Sequence, residues 1–141
     1  MNYIIGDIGN TSTRVCLLNK SKILNSIIFD TKKIFLKGFF KRIINRFSKK
    51  NLKNEILFSC VVPLALKEIK KNLKKTNYRV LEIKSLNLTK MIKINIKNFK
   101  NIGSDRIVNS IKGKEFKNCL IIDFGTATTF NIKKNEIYEG G

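Results

Sequence analysis

The chain has 141 residues, 43% hydrophobic and 28% charged, which is enough apolar material for a real core and ordinary for a globular protein. It contains no histidine, which excludes imidazole-based zinc sites and any Ser-His or Cys-His catalytic pair. Acid and base chemistry is left to Asp, Glu, Lys, Tyr or a metal-bound water.

The formal net charge is +19, carried mostly by lysine, with Arg14, Arg42, Arg46, Arg79 and Arg106 as the arginines. Nucleic-acid recognition favours arginine's planar fork. Lysine here accompanies abundant Asn and Ile, the trio that an A- and T-rich coding sequence produces. A solvated basic surface with no nucleic-acid partner is therefore expected. The chain opens without a charged segment leading into an apolar run and a cleavage site, and 18 consecutive apolar residues occur nowhere. A cytoplasmic location and no membrane association are expected. Cys16, Cys60 and Cys119 are far apart inside apolar runs, which reads as reduced core thiols.

Residues 2 to 8, 12 to 19 and 22 to 29 read as three short strands in an antiparallel meander. "KIFLKGFFKRIINRFSKK" then places Leu36, Phe39, Phe40, Ile43 and Phe47 on one helical face, with basic residues largely opposite. Core packing is the expected role of that stripe, ahead of a basic membrane-surface helix, which Gly38 weakens. "EILFSCVV" reads as a buried strand that ends at Pro63, a residue suited to the first position of the helix "PLALKEIKKNLKK". "YRVLEI" follows as another strand. Residues 85 to 102 have weak periodicity and read as a long surface segment with room for one short strand. "GSDRIVNSIKGKEF" starts a helix with Ser104 as its N-cap and Ile107, Val108 and Ile111 on one side. The order of elements predicts an α/β fold with a mixed sheet.

Then the opening repeats. "YIIGDIGNTSTRVCLL" at residues 3 to 18 returns as "LIIDFGTATTFNI" at 120 to 132. Aligning Asp7 with Asp123 superimposes Gly9 on Gly125, Ser12 on Thr128 and Thr13 on Thr129. A turn of the form D-x-G-x-x-[ST]-T suits phosphate: glycine lets backbone N–H groups approach an anion, and hydroxyls add donors. The strand-end aspartate repels bare phosphate but holds a bridging cation, usually magnesium through water. Asp-Gly and Asn-Thr are also plain turn formers, yet turn formation alone does not require Asp, Gly and Thr at matching offsets twice. Two such turns facing one another would grip successive phosphates of one nucleotide.

This pair of motifs resembles the phosphate-binding hairpins of the actin, Hsp70 and sugar-kinase superfamily. More narrowly, "DIGNT", "SCVVP", "GSDRIVN" and "DFGTATTF", in this order and spacing, resemble type III pantothenate kinase from Asp7 to Gly141. The resemblance implies a ribonuclease H-like, actin-like ATPase lobe with a mixed sheet, residues 1 to 116, followed by the first strands of a second, duplicated lobe, residues 117 to 141. It implies an enzyme that transfers the γ-phosphoryl of ATP to pantothenate at the first step of coenzyme A synthesis. Asp7, Ile8, Gly9, Asn10, Thr11, Ser12, Thr13 and Arg14 would then contact ATP phosphates, with Asp7 near Mg2+ and Thr126 also contacting ATP. Gly103, Ser104, Asp105 and Arg106 would touch pantothenate, with Asp105 as the base for its primary hydroxyl. Asp123 would hold a monovalent cation, K+ or NH4+. A homodimer is implied for the complete protein.

Three positions depart from the family pattern. Ile96 stands where a tyrosine is usual, Phe99 replaces a proline, and Asn131 replaces an aspartate. Family members also continue well past "GG", so the chain is expected to be an N-terminal portion that is inactive alone and prone to self-association. Other readings keep the fold but change the role: a kinase of another small alcohol, a non-catalytic regulator, or a nucleic-acid-binding protein. Asp7, Asp105 and Asp123 at matched motif positions favour catalysis.

Overall fold

Side chains of the first strand alternate between a buried and a more exposed face. The computed structural model describes residues 1–47, 52–96 and 101–141, and within them β1 (Asn2–Ile8), β2 (Ser12–Asn19) and β3 (Lys22–Asp30) form the expected meander. A 3-10 turn (Thr31–Phe35) follows, then α1 (Phe39–Arg46), β4 (Leu52–Cys60), α2 (Pro63–Leu73) and β5 (Arg79–Glu82). The sheet order is β3-β2-β1-β4-β5, antiparallel from β1 to β3 and parallel across β1, β4 and β5. This is the mixed sheet that the order of elements predicted.

The core lies on the helix-bearing face of that sheet. Ile4 and Ile8 from β1, Val15 and Leu17 from β2, and Ile56 and Phe58 from β4 pack with Phe40, Ile43, Ile44 and Phe47 of the α1 region and Ala65, Ile69 and Leu73 of α2. The stripe of α1 is thus core, as expected, although Leu36 lies before the helix and is exposed. Gly38 causes that shift: it sits at the N-cap with φ of 67°, a left-handed conformation that glycine adopts without steric cost. Pro63 opens α2, where its missing N–H has no helical acceptor to serve.

After β5 come two single 3-10 turns, Ile83–Ser85 and Leu88–Lys90, then β6 (Lys93–Ile94) and α3 (Ser104–Lys112). A further 3-10 turn (Gly113–Glu115) precedes β7 (Cys119–Phe124), β8 (Thr128–Lys134) and β9 (Ile137–Gly140). The second sheet runs β6-β9-β8-β7. The meander β7-β8-β9 repeats β1-β2-β3, and the short strand allowed for in residues 85 to 102 is β6, parallel to β9. Leu88 and Ile92 are buried, so that segment contributes to packing and is not wholly surface. Phe99 lies outside the described residues. No described helix is long and apolar enough to cross a membrane.

Two details of α3 differ from expectation. Its N-cap is Gly103, extended at ψ 141°, whose carbonyl accepts the first helical bond from the Ile107 N–H at 3.3 Å; Ser104 is the first helical residue and is fully buried. Val108 points to solvent, because the helical period carries Ile107 inward and turns its neighbour away. Cys16 and Cys60 are buried free thiols and Cys119 is half-buried, and burial raises the Cys16 and Cys60 thiols above their usual range.

By internal contacts the chain divides into two compact units, Met1–Glu82 and Ile83–Gly141, with α3 in the second. This division follows compactness, whereas a boundary at 116/117 follows the repeated motif.

Gly6 is where β1 is most constrained: a Cβ there would lie 2.2 Å from Phe58 Cε1. Gly6→Ala must displace the Phe58 ring, itself packed on Phe40 at 5.9 Å between centroids. We expect a loss of about 1–3 kcal/mol, the usual cost of overpacking, read as a lower urea midpoint with unchanged slope.

Candidate active site: two Asp-Gly hairpins and a helix start

The first hairpin turns where β1 hands over to β2. Asp7 pairs with Arg14 and Ile8 with Thr13, and the Gly9 N–H closes the turn on the Ser12 carbonyl at 3.0 Å. Asp7, Asn10, Thr11, Ser12 and Arg14 are exposed at the strand ends and in the turn. Ile8 and Thr13 are fully buried. Their side chains belong to the packing beneath the turn, with the Thr13 hydroxyl 2.9 Å from that of Thr31, so a contact with a nucleotide falls to their backbone.

The second hairpin copies the first with one residue fewer. Asp123 pairs with Thr129 and Phe124 with Thr128, leaving Gly125, Thr126 and Ala127 in the loop. Opposite residues in an antiparallel pair share a face, so Thr128, opposite Phe124, takes the place that Thr13 has opposite Ile8. This corrects the sequence alignment of Thr13 with Thr129: β1 and β7 superimpose with Asp7 on Asp123, but the second strands are offset by one. Thr129 instead lies across from Asp123, and its buried hydroxyl has no hydrogen-bond partner. Thr126 is exposed in the loop.

Asp105 and Arg106 occupy the first turn of α3. Arg106 Nη1 donates to the Gly141 carbonyl, and Asp105 Oδ1 is buried with no hydrogen-bond partner. One turn further along, Asn109 Nδ2 donates to Asp123 Oδ2 at 3.0 Å, tying α3 to the second hairpin. Gly103 and Arg106 line a cavity of about 540 Å³ with Ile96, Ile102 and Tyr138. Ile96, one of the departures from the family pattern, thus forms an apolar part of its wall.

Behind the cavity the Tyr138 hydroxyl donates to Asn131 Oδ1 at 2.8 Å, while Asn131 Nδ2 is buried without a partner. Lys133 is buried and donates to the carbonyls of Gly113, Lys114 and Phe116 at 3.1, 3.0 and 2.7 Å, which satisfies the C-terminal end of α3 and the turn after it. Burial pushes the Tyr138 phenol above its usual range; a hydrogen bond with Ser110 and the Arg106 charge act against this, and Asp105 adds to it.

Sequence reasoning missed Thr31, Asn109, Thr129 and Tyr138. Asn109 was the most accessible of them, since it follows Asp105 by four residues and so shares its helix face. Thr129 was visible only through an alignment that the register overturns.

A mixed five-stranded sheet followed by a repeat of its first hairpins defines the actin-like ATPase and sugar-kinase fold. The solved structures agree: a protein from Cytophaga hutchinsonii described as a sugar kinase matches with a TM-score of 0.53 at 13% identity, over 100% of this chain and 50% of that one. The Ppx/GppA phosphatase of Aquifex aeolicus matches at 0.50 and 12% identity, over 99% and 50%. Sequence narrows the class. The family model for type III pantothenate kinase matches residues 3–141, and the chain belongs to that family. The type III pantothenate kinase of Pelagibacter ubique is 44% identical over 98% of this chain and 56% of its own length. That of a Sulfurihydrogenibium species is 33% identical over 96% and 57%. The chain thus spans a little over half the length of these relatives.

Tyr138 offers a test of the polar packing behind the cavity. Because its folded pKa is raised, the folded state keeps a proton that the unfolded chain releases near pH ~10. Its contribution is complete below that pH and is lost as pH rises through the folded value. Tyr138→Phe should cost about 1–3 kcal/mol at neutral pH by stranding Asn131 Oδ1. It should also make the alkaline decline in stability shallower, as read by urea unfolding from pH 8 to 11.

Proposed function

We propose that residues 1–141 carry the phosphate-binding turns and the catalytic base of an ATP-dependent kinase that phosphorylates pantothenate, the first step of coenzyme A synthesis. The observation that carries this reading is the Asp105 carboxylate. One of its oxygens is buried without a partner, at the start of a helix whose Gly103 and Arg106 line a cavity, in a chain that belongs to the pantothenate kinase family. A buried acceptor left open costs free energy unless a ligand donates to it, and a primary hydroxyl is such a donor.

The chemistry follows from the parts. The acceptor hydroxyl gives its proton to Asp105 as its oxygen bonds to the γ-phosphorus. The bond from that phosphorus to the bridging oxygen breaks, and ADP leaves with the electron pair. Arg106 and Gly103 hold the acceptor. Gly9, Asn10, Thr11, Ser12 and Arg14 offer donors to the phosphates, with the backbone of Ile8 and Thr13; the family resemblance implies Thr126 as a further ATP contact. Phosphoryl transfer asks mainly for alignment and charge neutralisation, which these groups supply without a histidine.

The donor sets fit the two expected cations. Asp7 is an exposed carboxylate at the head of the first turn, suited to Mg2+, which takes one or two carboxylates together with water and phosphate oxygens. Asp123 lies opposite the partnerless buried hydroxyl of Thr129, a pair of hard oxygens suited to K+ or NH4+. Bound there, such cations would neutralise phosphate charge. In this reading the complete enzyme is a cytoplasmic homodimer whose partners are ATP and pantothenate, with no nucleic acid and no membrane.

The test is a chimera in which residues 1–141 replace the matching part of the Pelagibacter relative, assayed for ADP release with MgATP, KCl and a panel of alcohols. Pantothenate-dependent turnover is expected. Asp105→Asn should lower it by about two to four orders of magnitude while ATP still binds, and near-wild-type turnover would remove Asp105 from the base role. Turnover with a different alcohol alone would reassign the acceptor.

Asp123→Ala in the same chimera should weaken the dependence of turnover on KCl. A dependence identical to that of the parent chimera would count against a cation at this residue.

A further inference from the structure

The first phosphate turn is held from beneath by a residue outside every motif. Thr31 follows β3 and is 3% exposed. Its hydroxyl donates to the Gly9 carbonyl at 2.7 Å, and its N–H donates to the Thr11 carbonyl at 3.0 Å. A hydroxyl has one proton. Since that proton goes to Gly9, the 2.9 Å contact with the fully buried Thr13 has Thr13 donating and Thr31 accepting. One side chain and one amide thus bind two carbonyls of a turn lying about twenty residues earlier in sequence. Asp30 anchors the 3-10 turn that carries Thr31 by accepting the Lys32 N–H at 2.8 Å.

We infer that Thr31 is the positioning residue of the nucleotide site: by drawing the Gly9 and Thr11 carbonyls inward, it keeps their negative ends away from an approaching phosphate. The inference rests on reading that turn as a phosphate cradle. Carbonyl oxygens turned outward would repel the anion, whereas carbonyls engaged beneath the turn leave its amide and hydroxyl donors as the polar groups a ligand meets. The second hairpin supports the point by contrast. Its turn closes with a Gly125 N–H to Ala127 carbonyl bond of 3.4 Å against 3.0 Å in the first. Thr128, which takes the place of Thr13 there, is exposed.

The test uses the 141-residue chain with three substitutions: Thr31→Val, Thr31→Ser and Thr76→Val. Thr76 donates to the Leu73 carbonyl at 2.6 Å at the end of α2 in the same compact unit, so its loss reports general destabilisation. Amide hydrogen exchange is followed at Gly9, Asn10, Thr11 and Ser12, and MgATP affinity is measured by titration. Thr31→Val should speed exchange in the turn and raise the MgATP Kd, each by about tenfold, the effect of one such hydrogen bond. Thr31→Ser should restore both, and Thr76→Val should leave turn exchange unchanged. Turn exchange in Thr31→Val equal to wild type, or matched by Thr76→Val, or unrescued by serine, overturns the inference. Absence of MgATP binding to the wild-type chain would instead sink the phosphate reading of the turn, and the exchange rates would still decide whether Thr31 braces it.

Discussion

Alternation along β1 is the constraint on which the rest depends. Successive side chains of a strand leave on opposite faces, and Ile4 and Ile8 are committed to the core under α1 and α2. Asp7 is thereby forced outward at the strand end, beside the turn. Gly6 shares the inward face and makes room for the Phe58 ring, which lets β4 run parallel beside β1. Packing on one face and the exposed carboxylate on the other are thus set by a single register. A slip of one residue would bury the carboxylate and expose two isoleucines.

The second unit distributes polarity differently. Its meander presents Asp123, Thr129, Asn131 and Lys133 on the face that α3 packs against, where three buried polar atoms, Asp105 Oδ1, Thr129 Oγ1 and Asn131 Nδ2, have no partner. The opposite face carries Leu120, Ile122, Phe124, Phe130 and Ile132, all exposed. The pairs Leu120–Ile132 and Ile122–Phe130 match Ile4–Leu17 and Gly6–Val15 of the first sheet, where Ile4, Val15 and Leu17 are core. The face that the first unit fills with helices is bare apolar surface in the second, and the helix lies on the side with unmet hydrogen bonds. Unmet buried groups cost stability and are found where a ligand completes them, which is what the proposed role of Asp105 draws on.

Duplication without identity also separates the two turns. Four residues lie between Ile8 and Thr13, three between Phe124 and Thr128. The longer first turn is shaped by Thr31 from below. The shorter second turn leaves Thr129 beside Asp123, so a hydroxyl and a carboxylate converge where the first hairpin has Asp7 opposite Arg14. One repeated motif therefore yields two different donor sets, one rich in amides and hydroxyls, the other suited to a cation.

Local sequence placed β1, β2, β3, β5, β7, β8 and β9 to within a residue, and β4, read from Glu55, begins three residues earlier at Leu52; Pro63 determined where α2 starts, and the repeated D-x-G pattern pointed to the paired hairpins, because each depends on neighbours close along the chain. The proposal of Asp7, Asp105 and Asp123 as site carboxylates rests on the same local motifs. What lies behind them was not legible there. The brace from Thr31 to Gly9, the Asn109–Asp123 bond and the Tyr138–Asn131 pair join residues between 7 and 22 positions apart, and the one-residue offset of β8 is set by its pairing with β7. No local pattern encodes which buried donor meets which acceptor. Only the tertiary structure decided those partners, since each follows from which strand faces which and from the free energy lost when a polar atom is buried alone.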